Sequence, residues 1–144
     1  LRFLDLYAGS GAVGLEAWSR GAGVVTMVES DRRTAALIAE NARTLGFTKA
    51  DVVCAPVAGT LGRPPAAPYD VVFLDPPYPI ADAAVGEDLA LLGSRQWLVP
   101  GAMVVVERSS RSPEPPWPPE IEREREKRYG ETTLWYAELV PGTR

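Results

Sequence analysis

The sequence predicts an α/β protein, a Rossmann-like and mostly parallel seven-stranded sheet closed by a C-terminal antiparallel hairpin. Three observations carry that reading. Short apolar runs rich in Val and Leu alternate with helical patterns as far as about residue 107, the signature of parallel strands joined by crossover helices. Gly9-Ser10-Gly11-Ala12-Val13-Gly14 spells G-x-G-x-x-G between the first apolar run and the first helical pattern. Near the C-terminus the alternation stops, and two strand patterns follow with only Gly130-Glu131 between them.

The elements follow in order. Leu1–Tyr7 is the first strand, and the glycine turn leads to a helix over Ala12–Arg20. Val24–Glu29 is the second strand. Ser30 or Asp31 caps a helix that runs to about Leu45, where Gly46 ends it. Asp51–Cys54 is the third strand, and Gly59–Pro68, rich in Pro and Ala, reads as a loop. Asp70–Leu74 is the fourth strand, Ala83–Leu92 a helix and Ala102–Glu107 the fifth strand. Ser109–Pro119 contains Pro113, Pro115, Pro116, Pro118 and Pro119, so it forms an extended, semi-rigid connection. Ile121–Tyr129 and Thr132–Leu139 then pair as a hairpin. Simple alternation puts Glu122, Glu124 and Glu126 on one face of the first hairpin strand and Arg123, Arg125 and Lys127 on the other. A strand polar on both faces belongs at a sheet edge.

Composition bounds the rest. The chain of 144 residues reads as one domain, 1–144, long enough for a real core. No apolar run approaches the ~20 residues of a membrane span, and no leader pattern is visible. The single cysteine, Cys54, has no internal disulfide partner, which suits a reducing compartment and a cytoplasmic location. There is no histidine, which excludes Ser-His-Asp and Cys-His nucleophilic sites and most zinc sites, so no metal is expected. The net charge of −4 argues mildly against nucleic acid without deciding the matter. The chain opens inside a strand pattern with no Met, which points to a truncated or processed sequence.

The glycine turn fits a dinucleotide or S-adenosylmethionine, because glycines let a ligand approach the backbone and a helix N-terminus offers free N–H groups. The competing reading is a tight turn with no ligand. Glu29 ends the second strand, where a carboxylate can accept both hydroxyls of a ribose; alternatively it complements the next helix's N-terminus. Asp5, inside the first strand, needs a partner. It lies beside a methionine moiety or bonds the loop amides. Hydride chemistry lacks its residues: there is no His and no Tyr-x-x-x-Lys. S-adenosylmethionine is therefore favoured.

Asp75-Pro76-Pro77-Tyr78 directly follows the fourth strand. An exocyclic amino group on a base is a poor nucleophile, because its lone pair is conjugated into the ring. The Asp75 carboxylate and the Pro76 carbonyl can each accept one of its N–H bonds and favour the pyramidal nitrogen of the transition state. The rings of Pro76 and Pro77 fix the backbone that carries these acceptors. Tyr78 can stack on the base, and a paired base must be flipped out to reach it. The plain alternative is a Pro-rich loop whose Asp merely caps.

Leu4-Asp5-Leu6-Tyr7-Ala8-Gly9-Ser10-Gly11-Ala12-Val13-Gly14-Leu15-Glu16-Ala17, Val28-Glu29-Ser30-Asp31, Phe73-Leu74-Asp75-Pro76-Pro77-Tyr78 and Lys127-Arg128-Tyr129-Gly130-Glu131-Thr132-Thr133 together resemble the bacterial 16S ribosomal RNA guanine-N2 methyltransferases, the RsmD-like family of class I S-adenosylmethionine-dependent methyltransferases. The resemblance spans nearly the whole chain. It implies S-adenosylmethionine as cofactor and one guanine of 16S ribosomal RNA as target, presented in a small ribosomal subunit or an assembly intermediate. By matching position, Gly9, Ser10 and Gly11 meet the methionine part, Glu29 the ribose, and Asp75 to Tyr78 the guanine. Tyr7, Ala8 and Ser30 complete the cofactor contacts. Tyr7 stands where general methyltransferases have a glycine. After the third strand, Cys54-Ala55-Pro56-Val57 offers no side chain for the adenine, so the Val57 backbone reads it. The resemblance also implies a segment before the first strand, which this sequence is expected not to include.

Three alternatives compete. An amino methyltransferase acting on adenine or cytosine of DNA or RNA shares the Asp75–Tyr78 motif, but DNA enzymes of that kind carry a separate recognition domain. A non-catalytic nucleic-acid-binding module would keep the fold without the intact motif. An NAD-dependent oxidoreductase lacks its hydride-site residues. The cluster of Arg108, Arg111, Arg123, Arg125, Lys127 and Arg128 could touch RNA phosphates, but the interleaved glutamates favour a solvated edge strand. Trp97 and Trp135 read as core, and the chain is expected to be a monomer.

Overall fold

The computed structural model describes residues 1–77 and 82–140. Its elements are β1 (Arg2–Leu6), α1 (Ala12–Ser19), β2 (Val24–Glu29), α2 (Arg32–Thr44), β3 (Asp51–Cys54), α3 (Val57–Leu61), β4 (Tyr69–Leu74), α4 (Asp82–Ser94), β5 (Leu98–Ser109), β6 (Ile121–Tyr129) and β7 (Thr132–Leu139). The described strands form one seven-stranded sheet in the order β3-β2-β1-β4-β5-β7-β6. β1 to β5 run parallel, and β7 is antiparallel to both of its neighbours. This is the Rossmann-like sheet with a terminal hairpin that the sequence predicts.

β1 and β4 lie at the centre, and a central parallel strand is covered on both faces, so it must be apolar nearly throughout. Leu4, Leu6, Val72 and Leu74 are accordingly inaccessible to solvent. Against one face, Val25 and Met27 pack with Ile38, Ala42 and Phe47, and Trp18 stacks on Phe47 with ring centroids 4.7 Å apart. On the other face, Leu61, Val85, Leu89 and Leu92 pack with Trp97, Val104, Val106 and Trp135. Trp97 and Trp135 are both core, as expected. The chain direction across the sheet reverses between β1 and β4, and a crevice opens there beyond the strands' C-terminal ends.

Three elements differ from the sequence reading. Val57–Leu61, whose last three residues fall within the Pro- and Ala-rich loop reading of Gly59–Pro68, is the helix α3. Pro56 stands in extended geometry at its N-cap, while Val57 and Leu61 are buried, so tertiary packing outweighs the weak helix propensity of the segment. β5 starts at Leu98, earlier than Ala102, because Leu98 already pairs with Tyr69; an irregularity there, with Gly101 at φ +79°, resets the register to Val71 against Met103. β6 is the edge strand, as expected, but its faces are not those of simple alternation. The register slips between Arg123 and Arg125, leaving Glu124 unpaired. Glu122, Arg125 and Lys127 pair with Glu138, Tyr136 and Leu134 on one face, and Arg123 and Glu126 pair with Ala137 and Trp135 on the other.

The proline-rich connection is held against α4. A Cβ on Gly86 would lie 2.8 Å from Pro116 Cγ, and one on Gly93 would lie 2.8 Å from the Glu120 carboxylate. Trp117 reaches the core edge and donates its indole N–H to Glu114 at 2.9 Å. Among the described residues no helix is long and apolar enough to cross a membrane.

Gly86→Val tests this close packing. Replacing a helix-interior glycine by valine alone should stabilise by only about 0.3 kcal/mol. Overpacking against Pro116 costs about 1–3 kcal/mol and should win. Denaturant unfolding should therefore show a net loss of stability; a gain would mean that the connection does not press on the helix.

Candidate functional site

A cavity of about 750 Å³ opens at the crevice and is lined by residues from four separate segments. Tyr7, Ala8, Gly9 and Ser10 come from the turn after β1, Glu29 and Ser30 from the end of β2, Val57 from α3, and Asp75 and Pro77 from the end of β4. Its size suits a nucleotide-sized ligand.

The turn owes its shape to the backbone. Gly9 at φ +57° and Gly11 at φ +81° occupy the left-handed region that glycine adopts without penalty. Tyr7 is there too, at φ +60°, a conformation that costs a non-glycine residue about 1–3 kcal/mol. Its phenol donates a hydrogen bond to Asp88, which is buried on α4. Burial pushes the Asp88 carboxyl up to about 6, with the Tyr7 hydrogen bond opposing and Glu87 adding to the rise.

Two carboxylates clasp the turn. One Glu29 oxygen accepts the Gly9 N–H and the other accepts the Asp31 N–H, both at 2.9 Å. A carboxylate has about four lone-pair sites, so Glu29 keeps acceptor capacity toward the cavity. It does not cap α2; Asp31 does, accepting the Thr34 N–H at 2.9 Å. Asp5 is only 2% exposed and accepts the Gly14 N–H at 3.1 Å. Burial pushes its carboxyl up to about 7; the Gly14 bond opposes this, and the charges of Asp75 and Glu29 add to it. Asp5 therefore lies behind the turn and not on the cavity wall.

Other predicted residues divide in the same way. Gly11 faces Ile38, with a Cβ position only 3.0 Å from its side chain, and does not line the cavity. Pro76 is buried beneath the wall that Asp75 and Pro77 form. Tyr78 lies outside the described residues. Val57 lines the cavity as the first residue of α3, where backbone N–H groups have no intrahelical acceptor.

Sequence reasoning missed Glu107, Asp88, Val13, Thr34 and Pro56. Val13, Thr34 and Pro56 line the cavity. Glu107, near the end of β5, hydrogen-bonds the Asp75 carboxyl. Both members of that pair are pushed above the usual carboxylate range, in each case chiefly by desolvation; Arg108 pulls Asp75 back down, and the charge of Asp75 lifts Glu107 further. The available signal was an acid at the C-terminal end of the strand next to β4.

A family model described as "Conserved hypothetical protein 95" matches residues 1–138. The chain is 35% identical over 128 residues to Ribosomal RNA small subunit methyltransferase D of Escherichia coli strain K12, covering 89% of this chain and 63% of that protein. It is 38% identical over 115 residues to the protein of the same name from Haemophilus influenzae, covering 76% of this chain and 58% of that one. It thus spans less than two thirds of the length of these curated relatives. The solved structure of yhhF from Escherichia coli superposes with a TM-score of 0.89 at 32% identity, over 96% of this chain and 76% of that one. The fold is that of the class I methyltransferases.

The carboxyl of Asp5 sets a pH dependence. Its value near 7 in the folded protein lies above its ordinary 3.8. The folded state therefore binds the proton more tightly, and this group lowers stability progressively as pH rises from about 4 to about 7. Below that window the group is neutral in both states, and above it the cost is complete. Asp5→Asn keeps an acceptor for Gly14 and removes the charge. Its stability should exceed the parent's at pH 8 and converge with it below pH 4; a constant gap across that range would contradict a buried, proton-holding Asp5.

Proposed function

The chain belongs to the Conserved hypothetical protein 95 family, the RsmD-like family, and on that premise we propose that it methylates the exocyclic N2 of a guanine in 16S ribosomal RNA using S-adenosylmethionine. The observation that carries this reading is the convergence of the glycine turn, Glu29, Asp75 and Pro77 on one cavity at the sheet's switch point. The donor set fits the cofactor. Glu29 has free lone pairs for ribose hydroxyls, Val57 presents a backbone N–H at the adenine end, and Gly9 and Ser10 leave room for the methionine part.

S-adenosylmethionine, when bound, supplies an electrophilic methyl group on a sulfonium. The work of this chain is then to orient and to manage charge. Asp75 and the Pro76 carbonyl accept the two N–H bonds of the target amino group and align its lone pair. The proline rings keep those acceptors from relaxing away. Tyr78 is assigned the stacking on the base. As the nitrogen gains positive charge, the carboxylate of Asp75 stabilises it, and Asp75 or water takes the proton afterwards. Glu107 holds Asp75 through their shared hydrogen bond. No imidazole is needed, in keeping with a sequence that has none.

The direct test is methyl transfer from labelled S-adenosylmethionine to small ribosomal subunits that lack the modification, with digestion of the product to nucleosides. N2-methylguanosine is the expected product. Methylated adenine or cytosine would move the enzyme to another base, and no incorporation with intact cofactor binding would favour a binding module. Asp75→Ala should lower turnover by 100-fold or more, the ~3 kcal/mol scale of a lost transition-state acceptor, while cofactor affinity stays within several-fold. Glu29→Gln should weaken cofactor binding about tenfold, ~1.4 kcal/mol, by calorimetry. Unchanged affinity would remove Glu29 from ribose recognition.

A further inference from the structure

The register slip in β6 reorganises the charge of the terminal hairpin. Without it, Arg125 and Lys127 would share a face with Arg123 and with the buried residues Trp135 and Ala137. With it, they stand over Tyr136 and Leu134 on the opposite face. The Arg125 guanidinium lies 4.4 Å from the Tyr136 ring centroid, and the Lys127 ammonium lies 5.2 Å from that of Tyr129. Arg123 is committed elsewhere, bonding Glu114 at 2.9 Å and lying 3.8 Å from Glu126. Among the described residues neither Arg125 nor Lys127 has a carboxylate within ion-pair distance.

Glu122, Glu124 and Glu138 lie together at the other end of the hairpin. Glu122 pairs directly across from Glu138, and a hydrogen bond with Glu124, followed by the charge of Glu124, pushes the Glu138 carboxyl above its usual range. This face of the hairpin is thus acidic where it leaves the proline-rich connection and carries the cations Arg125 and Lys127 toward the turn at Gly130-Glu131. The cationic end lies at the sheet edge that carries the cavity. Cross-strand pairing extends the row of Phe73 through Val105 and Tyr136 to Arg125. The next row on that face, two residues on along each strand, runs from Asp75 through Glu107 and Leu134 to Lys127. Three strand spacings of ~4.8 Å put Lys127 about 14 Å from Asp75. Tyr129, 50% exposed, closes this end of the strand.

From this placement we infer that the face formed by Arg125, Lys127, Tyr129 and Tyr136 binds single-stranded RNA flanking the target base. This rests on the RNA reading of the cavity and names how the strand reaches it. The two cations neutralise phosphates of the flanking nucleotides, and Tyr129 offers an exposed ring on which a base can stack. The chain as a whole is acidic, so a cationic row running away from the site restricts an RNA strand to one approach.

The test uses the full chain and a fluorescein-labelled single-stranded oligoribonucleotide containing one guanine, titrated across salt concentrations. For the Arg125→Gln/Lys127→Gln double variant, binding at low salt should weaken tenfold or more. The slope of log affinity against log salt should become shallower by about 1.4, which is 0.7 for each of two lost phosphate contacts. Arg125→Lys/Lys127→Arg should keep the parent slope, and Arg123→Gln, on the other face, should leave it unchanged. S-adenosylmethionine affinity should be equal in all variants, which shows that they are folded. Equal RNA affinity and slope in the double variant, with the parent still methylating subunits, would overturn this surface and leave the methyltransferase reading intact. An equal effect from Arg123→Gln would overturn it in favour of net charge alone. Loss of subunit binding without loss of oligonucleotide binding would overturn it in favour of a protein partner. A parent chain that neither binds RNA nor methylates subunits would remove the RNA reading and this surface together.

Discussion

The site depends on the Glu29 carboxylate, which ties the turn after β1 to the start of α2. Its two oxygens hold Gly9 and Asp31, residues 22 positions apart in sequence, in one rigid arch. Neighbouring elements then fall into place. Ala8 donates to Val28 at 2.9 Å, so the turn cannot lift from β2, and Asp31 is free to cap α2 through Thr34. Asp5 fixes the far side of the turn through Gly14, whose missing Cβ lets α1 sit on Met27, with the Cβ position 2.7 Å from its side chain. The cavity is the space left between this arch, α3 and the end of β4.

The arrangement concentrates acid at one end of the sheet. Asp5, Glu29, Asp75, Glu107 and Asp88 all converge there, and burial raises four of the five carboxyls above their ordinary range. Holding a buried carboxyl there costs stability: for Asp5, 2% exposed, each pKa unit by which the carboxyl rises costs about 1.4 kcal/mol in the charged form. The strained backbone of Tyr7 adds to the cost. Perturbed acids and a strained residue thus gather at the switch-point crevice, in keeping with the proposed methyltransferase site.

Much of the fold could be read locally. The β/α alternation, the glycine turn, the Asp31 cap and the hairpin each depend on residues a few positions apart. The site residues that the sequence names are also local to a strand end: Glu29, Asp75 and the turn itself. What escaped the reading depends on distant contacts. Asp88 meets Tyr7 across 81 positions, and nothing near Asp88 distinguishes it from a misplaced acid on an apolar helix face. Glu107 is coupled to Asp75 only because β5 pairs with β4. α3 forms because Val57 and Leu61 find a core, in spite of the Gly and Thr between them. The sequence reading puts Asp5 beside the methionine moiety or on the loop amides, and it accepts the N–H of Gly14, the last glycine of the G-x-G-x-x-G run.

The bulge in β6 shows the same limit in its sharpest form. Period-two alternation assumes that no residue is skipped, and a single unpaired Glu124 inverts every assignment after it. Ile121 is nearly fully buried and fixes one end of the strand on the core, while Tyr129 pairs with Thr132 beside the turn at Gly130 and fixes the other. One extra residue lies between these anchors, and the edge of a sheet is where it can be absorbed. The slip therefore lets a core-facing anchor and a solvent-facing cationic row coexist on one strand. Without it, the residues that continue the row of Asp75 and Glu107 across the sheet would carry the opposite charge.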